Sequence, residues 1–153
     1  MLIAALFIFV CLMAGVVGSF FTMQSIPTWY AGLNKPAFNP PNWVFGPVWT
    51  GLYVLMGISA YLVYSKGAKK KEVRTALMVF SAQLLLNAVW SILFFGLQSL
   101  LYGLVGIVAL WLSIAATMWR FYGISREAAW LLAPYMLWVS FAGVLNYFIW
   151  TLN

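Results

Sequence analysis

Five apolar stretches, at about 2–23, 43–65, 75–97, 101–119 and 128–151, are each long enough to cross a bilayer. The hydrocarbon core is about 30 Å thick, so a spanning helix needs roughly 20 apolar residues. Hydrophobic residues make up 65% of the chain and charged residues only 7%, whereas about a quarter of a soluble domain is charged. Backbone groups in lipid must pair with one another, which leaves helices or closed barrels. Barrel strands alternate apolar and polar residues, and these stretches are apolar all round. The expected fold class is therefore all-α, a single integral membrane domain over 1–153 built from five transmembrane helices.

The first stretch, LIAALFIFVCLMAGVVGSFFTM, has no Lys or Arg before it or within it. A signal peptide carries a basic leader and a shorter apolar core, so this stretch reads as a retained helix. Five spans then sort the charges. Lys66, Lys69, Lys70, Lys71, Arg74, Arg120 and Arg126 fall on one side and Lys35 alone on the other. Basic loops stay inside, so the N-terminus is expected in the cytoplasm; the expected location is the cell membrane of a prokaryote. The patch KGAKKKEVR (66–74) acts as a topology determinant and adds attraction for anionic lipid heads. It is too short, and too close to the membrane, to make nucleic acid a partner.

The composition also excludes chemistry. There is no histidine, the two acidic residues are Glu72 and Glu127, and Cys11 is the single cysteine. The usual catalytic triads, zinc sites and proximal haem ligand are absent. No metal site and no required cofactor are expected. No ionisable residue lies deep in a span, which argues against a proton-coupled pump or an ion channel.

What the spans do carry is aromatic and amide side chains at helical spacing. Gln83, Asn87, Trp90 and Phe94 share a face, as do Trp138, Ala142, Asn146 and Trp150, and as do Trp49, Tyr53 and Gly57. Such stripes serve plain helix packing, with amides as interhelical glue. Facing one another, they would also enclose an apolar slot with a few polar anchors, the usual make-up of a small-molecule site. Flat indole and phenol faces suit a planar or polycyclic guest, a macrocycle or a sterol-like molecule. Outside the slot lies the stretch LNKPAFNPPNWVFGPVW (33–49). Its prolines stiffen the 24–42 loop, with Asn42 as a helix cap and Trp43 at headgroup depth. The loop is either a lid over the slot or an aromatic belt that anchors the bundle.

The runs WYAGLNKPAFNPPNWVFGPVWTGLY (29–53), QLLLNAVWSILFFG (83–96) and WLLAPYMLWVSFAGVLNYFIW (130–150) resemble the signature of the TspO/MBR family. The family is also known as tryptophan-rich sensory, translocator or peripheral benzodiazepine receptor proteins. The resemblance implies a five-helix membrane bundle, often dimeric, that binds porphyrins such as protoporphyrin IX, haem-like tetrapyrroles, cholesterol and benzodiazepine-site ligands. It places pocket positions at Tyr30, Trp49, Asn87, Trp90, Trp138, Ala142 and Asn146; the stripes add Tyr53 and Gln83. The implied function is a receptor for porphyrins in tetrapyrrole transport or stress-linked regulation. An alternative is an enzyme that degrades protoporphyrin with light and oxygen through Trp49, Trp90 and Trp138, and a third reading is an assembly protein whose aromatics only pack. Two departures stand out. Tyr147 is followed by FIWTLN, without the basic residue of the animal cholesterol-recognition pattern, and Ala88 and Val89 stand where many relatives are more aromatic. Small-residue faces at Ala14 and Gly18, and at Ala109, Ser113 and Thr117, are the expected homodimer contacts.

Overall fold

The computed structural model describes all residues, Met1–Asn153, and it is helical throughout. The elements are α1 (Leu2–Ser25), a 3-10 turn (Tyr30–Gly32), α2 (Asn42–Tyr64), α3 (Lys71–Ser91), which widens into a π turn (Ile92–Gly96), α4 (Leu100–Tyr122), α5 (Arg126–Leu131) and α6 (Ala133–Leu152). Five helical segments are long and apolar enough to cross a membrane, with α3 and its π turn forming one and α5 with α6 another. The chain is thus an integral membrane protein with an all-α bundle. The short break at Leu132 falls just before Pro134 at the start of α6, where the missing proline N–H does least harm.

Helix ends run further than hydropathy alone suggests. α3 begins at Lys71 rather than at 75, with Glu72 in its first turn, where a carboxylate complements the helix dipole. α4 reaches Tyr122 rather than 119. Arg120 lies over the Trp119 ring and Arg126 over the Tyr122 ring, at 5.4 and 5.3 Å, so the charges reach the interface while their stems stay on apolar surface. The weak break after α3 is real but short: Gln98 takes a positive φ of 54°, and Ser99 caps α4 by accepting from the Tyr102 N–H at 3.2 Å. The expected cap at Asn42 is corrected. Pro41 occupies the cap position and Asn42 is the first helical residue, with no side-chain capping bond.

The bundle has two distinct ends. One carries the basic segments 66–74 and 120–126, and the other carries the proline-rich loop. Cysteines introduced into 24–42 and into 66–74 are expected to react with impermeant thiol reagents from opposite sides of the membrane; reaction from the same side refutes the five-span topology. Packing is heaviest between α1 and α2, α3 and α4, and α4 and α6. α1 is the least embedded span, with 11% of its apolar window buried against 33–39% in the others, so its back faces lipid. The stripes expected to form a dimer are partly used inside the chain. Gly18 is buried against the Ser91 hydroxyl, and Thr117 is fully buried and donates to the Ser113 carbonyl. Ala109 remains exposed and Ala14 and Ser113 half-buried.

Candidate ligand-binding site

Two close approaches set where the helices meet and where they part. A Cβ on Gly57 would stand 2.5 Å from the Ile8 Cα, and one on Gly15 would stand 2.5 Å from the Tyr53 ring. Only glycine allows contact this close. α1 and α2 are thus pinned over their basic-end halves, and Phe7 adds ring contacts to Tyr61 and Tyr64. Toward the loop end α2 has no extended packing against α6. Between them lies a cavity of about 630 Å³, within the range of about 300–1,000 Å³ usual for small-molecule sites.

The walls come from four spans. α2 contributes Phe45, Trp49 and Tyr53; the end of α3 contributes Trp90, Phe94 and Phe95; α6 contributes Trp138, Ala142 and Asn146; and α1 contributes the face running from Leu12 to Met23. The rings form two groups, one across α2 and α3 and one between α2 and α6. Trp49 stacks on Tyr53 at 5.7 Å and faces Trp90 at 6.3 Å, Trp90 stacks on Phe94 at 5.7 Å, and Phe45 meets Trp138 edge-on at 5.9 Å. The π turn is what lets adjacent residues Phe94 and Phe95 both be buried here. Its i to i−5 bond runs from the Leu97 N–H to the Ile92 carbonyl at 2.7 Å, and the Ser25 hydroxyl donates to the Phe95 carbonyl at 2.6 Å. Such π bulges are costly and gather at functional sites. Along one side Val16, Ser19 and Met23 of α1 and Gly46 and Thr50 of α2 line the cavity yet are exposed. The cavity therefore opens sideways, between α1 and α2, toward the bilayer.

Three buried polar atoms on lining residues have no hydrogen-bond partner: Trp90 Nε1, Trp138 Nε1 and Asn146 Oδ1. Asn146 spends its Nδ2 on the Ala142 carbonyl at 2.8 Å. Buried polar groups are nearly always satisfied, so two unpartnered donors and one unpartnered acceptor set this aromatic wall apart.

Seven of the nine residues expected from the sequence line this cavity: Tyr30, Trp49, Tyr53, Trp90, Trp138, Ala142 and Asn146. Gln83 and Asn87 do not, and their expected place on the wall is corrected. Both are 1% exposed and lie behind Tyr53. The Tyr53 hydroxyl donates to Asn87 Oδ1 at 2.5 Å, Asn87 Nδ2 donates to the Tyr135 hydroxyl at 2.8 Å, and that hydroxyl donates to Gln83 Oε1 at 2.8 Å. The amides brace the floor from beneath. Trp150, the last member of the α6 stripe, is 41% exposed and lies outside the cavity.

The sequence profile of the TspO/MBR family matches residues 7–151. The chain belongs to that family. It is 48% identical to the tryptophan-rich protein TspO of Chlorobaculum tepidum, over 97% of this chain and 94% of the relative. It is 50% identical to that of Archaeoglobus fulgidus, over 91% and 89%, and 41% identical to the human translocator protein, over 90% and 82%.

Within this TspO/MBR chain the proline-rich loop both touches the site and grips α6. Ile26 and Tyr30 are its contributions to the wall. The Tyr30 hydroxyl donates to Asn39 Oδ1 at 3.0 Å, and Lys35 Nζ sits 4.8 Å over the Tyr30 ring. Burial pushes the Tyr30 phenol above its ordinary pKa, with the Asn39 bond pulling the other way, so it stays neutral at physiological pH. Beyond Tyr30 the loop is tied to the chain end. The Asn34 N–H donates to Asn153 Oδ1 at 3.1 Å, Asn153 Nδ2 donates back to the Asn34 carbonyl at 2.9 Å, and Phe38 packs edge-on against Phe141 and Phe148. The wall that sequence reasoning missed is the α1 face. Its only signal was Gly15, Gly18, Ser19 and Thr22, small or polar residues in an otherwise apolar run.

Proposed function

We propose that the chain is a membrane receptor for porphyrins and related planar apolar ligands, serving tetrapyrrole transport or stress-linked regulation. The supporting observation is the pairing of a stacked ring wall with the unpartnered Trp90 and Trp138 N–H groups and the Asn146 carbonyl oxygen. A porphyrin offers flat apolar faces to the rings and carboxylates that accept from the indoles. A sterol, with one hydroxyl, leaves most of these atoms unpaired, and each costs free energy to bury. Names borne by the relatives, translocator protein among them, fit the same reading.

The test is a titration of the purified protein in nanodiscs with protoporphyrin IX and with a sterol, read by tryptophan quenching. Ala142→Thr adds a branched side chain to the small position on α6, and overpacking of about 1–3 kcal/mol weakens both ligands roughly tenfold. Trp138→Phe keeps a ring but removes a donor, so protoporphyrin weakens several-fold and the sterol does not. Ser113→Ala, on α4 and away from the cavity, changes neither. Equal affinities across all variants would sink the assignment and make the stripes packing.

A second reading has its own observation. Trp49 and Trp90 face each other at 6.3 Å on the wall, with Trp138 on the same cavity, as a light- and oxygen-dependent degradation of protoporphyrin would need. Under illumination, irreversible loss of the Soret band that depends on these tryptophans supports the enzyme. Recovery of intact porphyrin on extraction supports the receptor. The same proposal puts the N-terminus in the cytoplasm and the protein in a prokaryotic cell membrane, on the charge bias and on the prokaryotic relatives. It keeps a homodimer as the assembly.

A further inference from the structure

At the basic end α1 and α3 enclose a second, separate groove of about 210 Å³, lined by Leu6, Phe7, Val10 and Cys11 of α1 and by Leu77, Phe80, Ser81 and Leu84 of α3. Leu6, Val10 and Ser81 are exposed, so the groove lies open to the hydrocarbon along its length. Its one hydroxyl, Ser81 Oγ, already donates to the Leu77 carbonyl at 2.8 Å. Nothing inside it asks for a polar group. It suits a saturated chain.

The polar partner stands one turn away. Arg74, Leu77, Ser81 and Leu84 are spaced three, four and three apart, which is one face of a helix. Arg74 therefore continues the groove's α3 wall toward the membrane surface, and Lys70 stands at the cap just before the helix with its stem over Gly67; both are exposed. Arg74 stands three residues from Leu77, roughly 5 Å along the axis. Glu72, the one acid in this segment, lies two residues from Arg74, on the opposite side of the helix. Lys66, Lys69 and Lys71 add to the same field.

We propose that this groove is a specific site for an anionic phospholipid, with an acyl chain between α1 and α3 and the headgroup phosphate on Lys70 and Arg74. An apolar slot that ends on two cations at headgroup depth is complementary to that ligand. A sterol has no charge for the cations to meet. A second copy of this chain, seated symmetrically on the same face, would bring its own basic segment against this one, and like charges oppose that.

The experiment uses the full chain, delipidated in detergent and titrated with phosphatidylglycerol or phosphatidylcholine of identical acyl chains, with bound lipid counted by native mass spectrometry. One phosphatidylglycerol per chain is expected to be retained saturably, in preference to phosphatidylcholine. Lys70→Gln with Arg74→Gln lowers that preference roughly tenfold or more, from two lost surface attractions. Ser81→Phe fills the groove from an exposed position and lowers retention with every charge intact. Arg120→Gln with Arg126→Gln removes the same charge from the same end, away from the groove, and leaves retention unchanged. Circular dichroism and protoporphyrin titration on each variant verify that the bundle is intact. Equal retention of the two lipids overturns the proposal. So does an equal loss in the Arg120 and Arg126 control, which would mean a diffuse surface potential, or unchanged retention in Ser81→Phe. A dimer that persists without lipid and dissociates with Ser81→Phe would give the groove to a second copy instead.

Discussion

Gly57→Ala is expected to destabilise the bundle by about 3 kcal/mol, the upper end of the usual overpacking cost. The added methyl would meet the backbone of Ile8, with Cα at 2.5 Å and N at 2.7 Å, and backbone cannot swing aside as a flexible side chain can. α1 must move off α2 as a body. For a chain of this length the shift in unfolding midpoint is on the order of 10 °C, read by a thermal scan in one fixed detergent. Because α1 forms one wall of the large cavity, protoporphyrin affinity falls with it. Gly51→Ala is the matched control. It lies on the same helix with nothing within 4 Å of its would-be Cβ, so it gains helix propensity of about 0.5–1 kcal/mol and raises the midpoint slightly. A Gly57→Ala protein as stable as the parent would refute the crossing geometry.

Asn87→Leu is expected to cost about 2 kcal/mol. The leucine strips the Tyr53 hydroxyl of its acceptor and removes one of the partners of the Tyr135 hydroxyl, and an orphaned buried group costs about 1–3 kcal/mol. Interhelical bonds in membranes are individually weaker than that, so the loss comes chiefly from the orphaned hydroxyl. The signature lies in a double mutant. Tyr53→Phe combined with Asn87→Leu removes both ends of one bond and should recover much of the stability lost by Asn87→Leu alone. Additive losses would argue against the network. The variant also separates wall from brace. A residue on the wall would discriminate carboxylate-bearing from neutral ligands, whereas Asn87, behind Tyr53, should weaken both alike through the Trp49 and Tyr53 stack.

That distinction marks how far the sequence reaches. Existence and number of spans follow from hydropathy, since lipid admits so few solutions. Which residues share a face follows from helical spacing, and Trp138, Ala142 and Asn146 do line one wall together. Depth along the axis does not follow. Gln83, Asn87 and Trp90 share a stripe, yet only Trp90 reaches the cavity. The floor is set by the Tyr53 ring seated against Gly15, a contact between residues far apart in the chain. α1 was silent for a related reason. A helix that faces lipid on one side and a cavity on the other is apolar on both, so no periodicity separates them. Helix ends shifted because arginine and lysine stems lie along apolar surface and let a span run on past a charge, as at Arg120, which Phe121 and Tyr122 follow in α4.

The sideways mouth between α1 and α2 alters what an affinity for this protein means. With one edge of the cavity in contact with hydrocarbon, a ligand leaves the lipid phase and acyl chains take its place there. Binding becomes an exchange between two solutes of the bilayer. The concentration that governs occupancy is then the ligand's mole fraction in the membrane, set by its partition coefficient and by the amount of lipid present. Titrations at fixed aqueous ligand but different protein-to-lipid ratios should return different apparent constants, and collapse onto one curve when plotted against mole fraction.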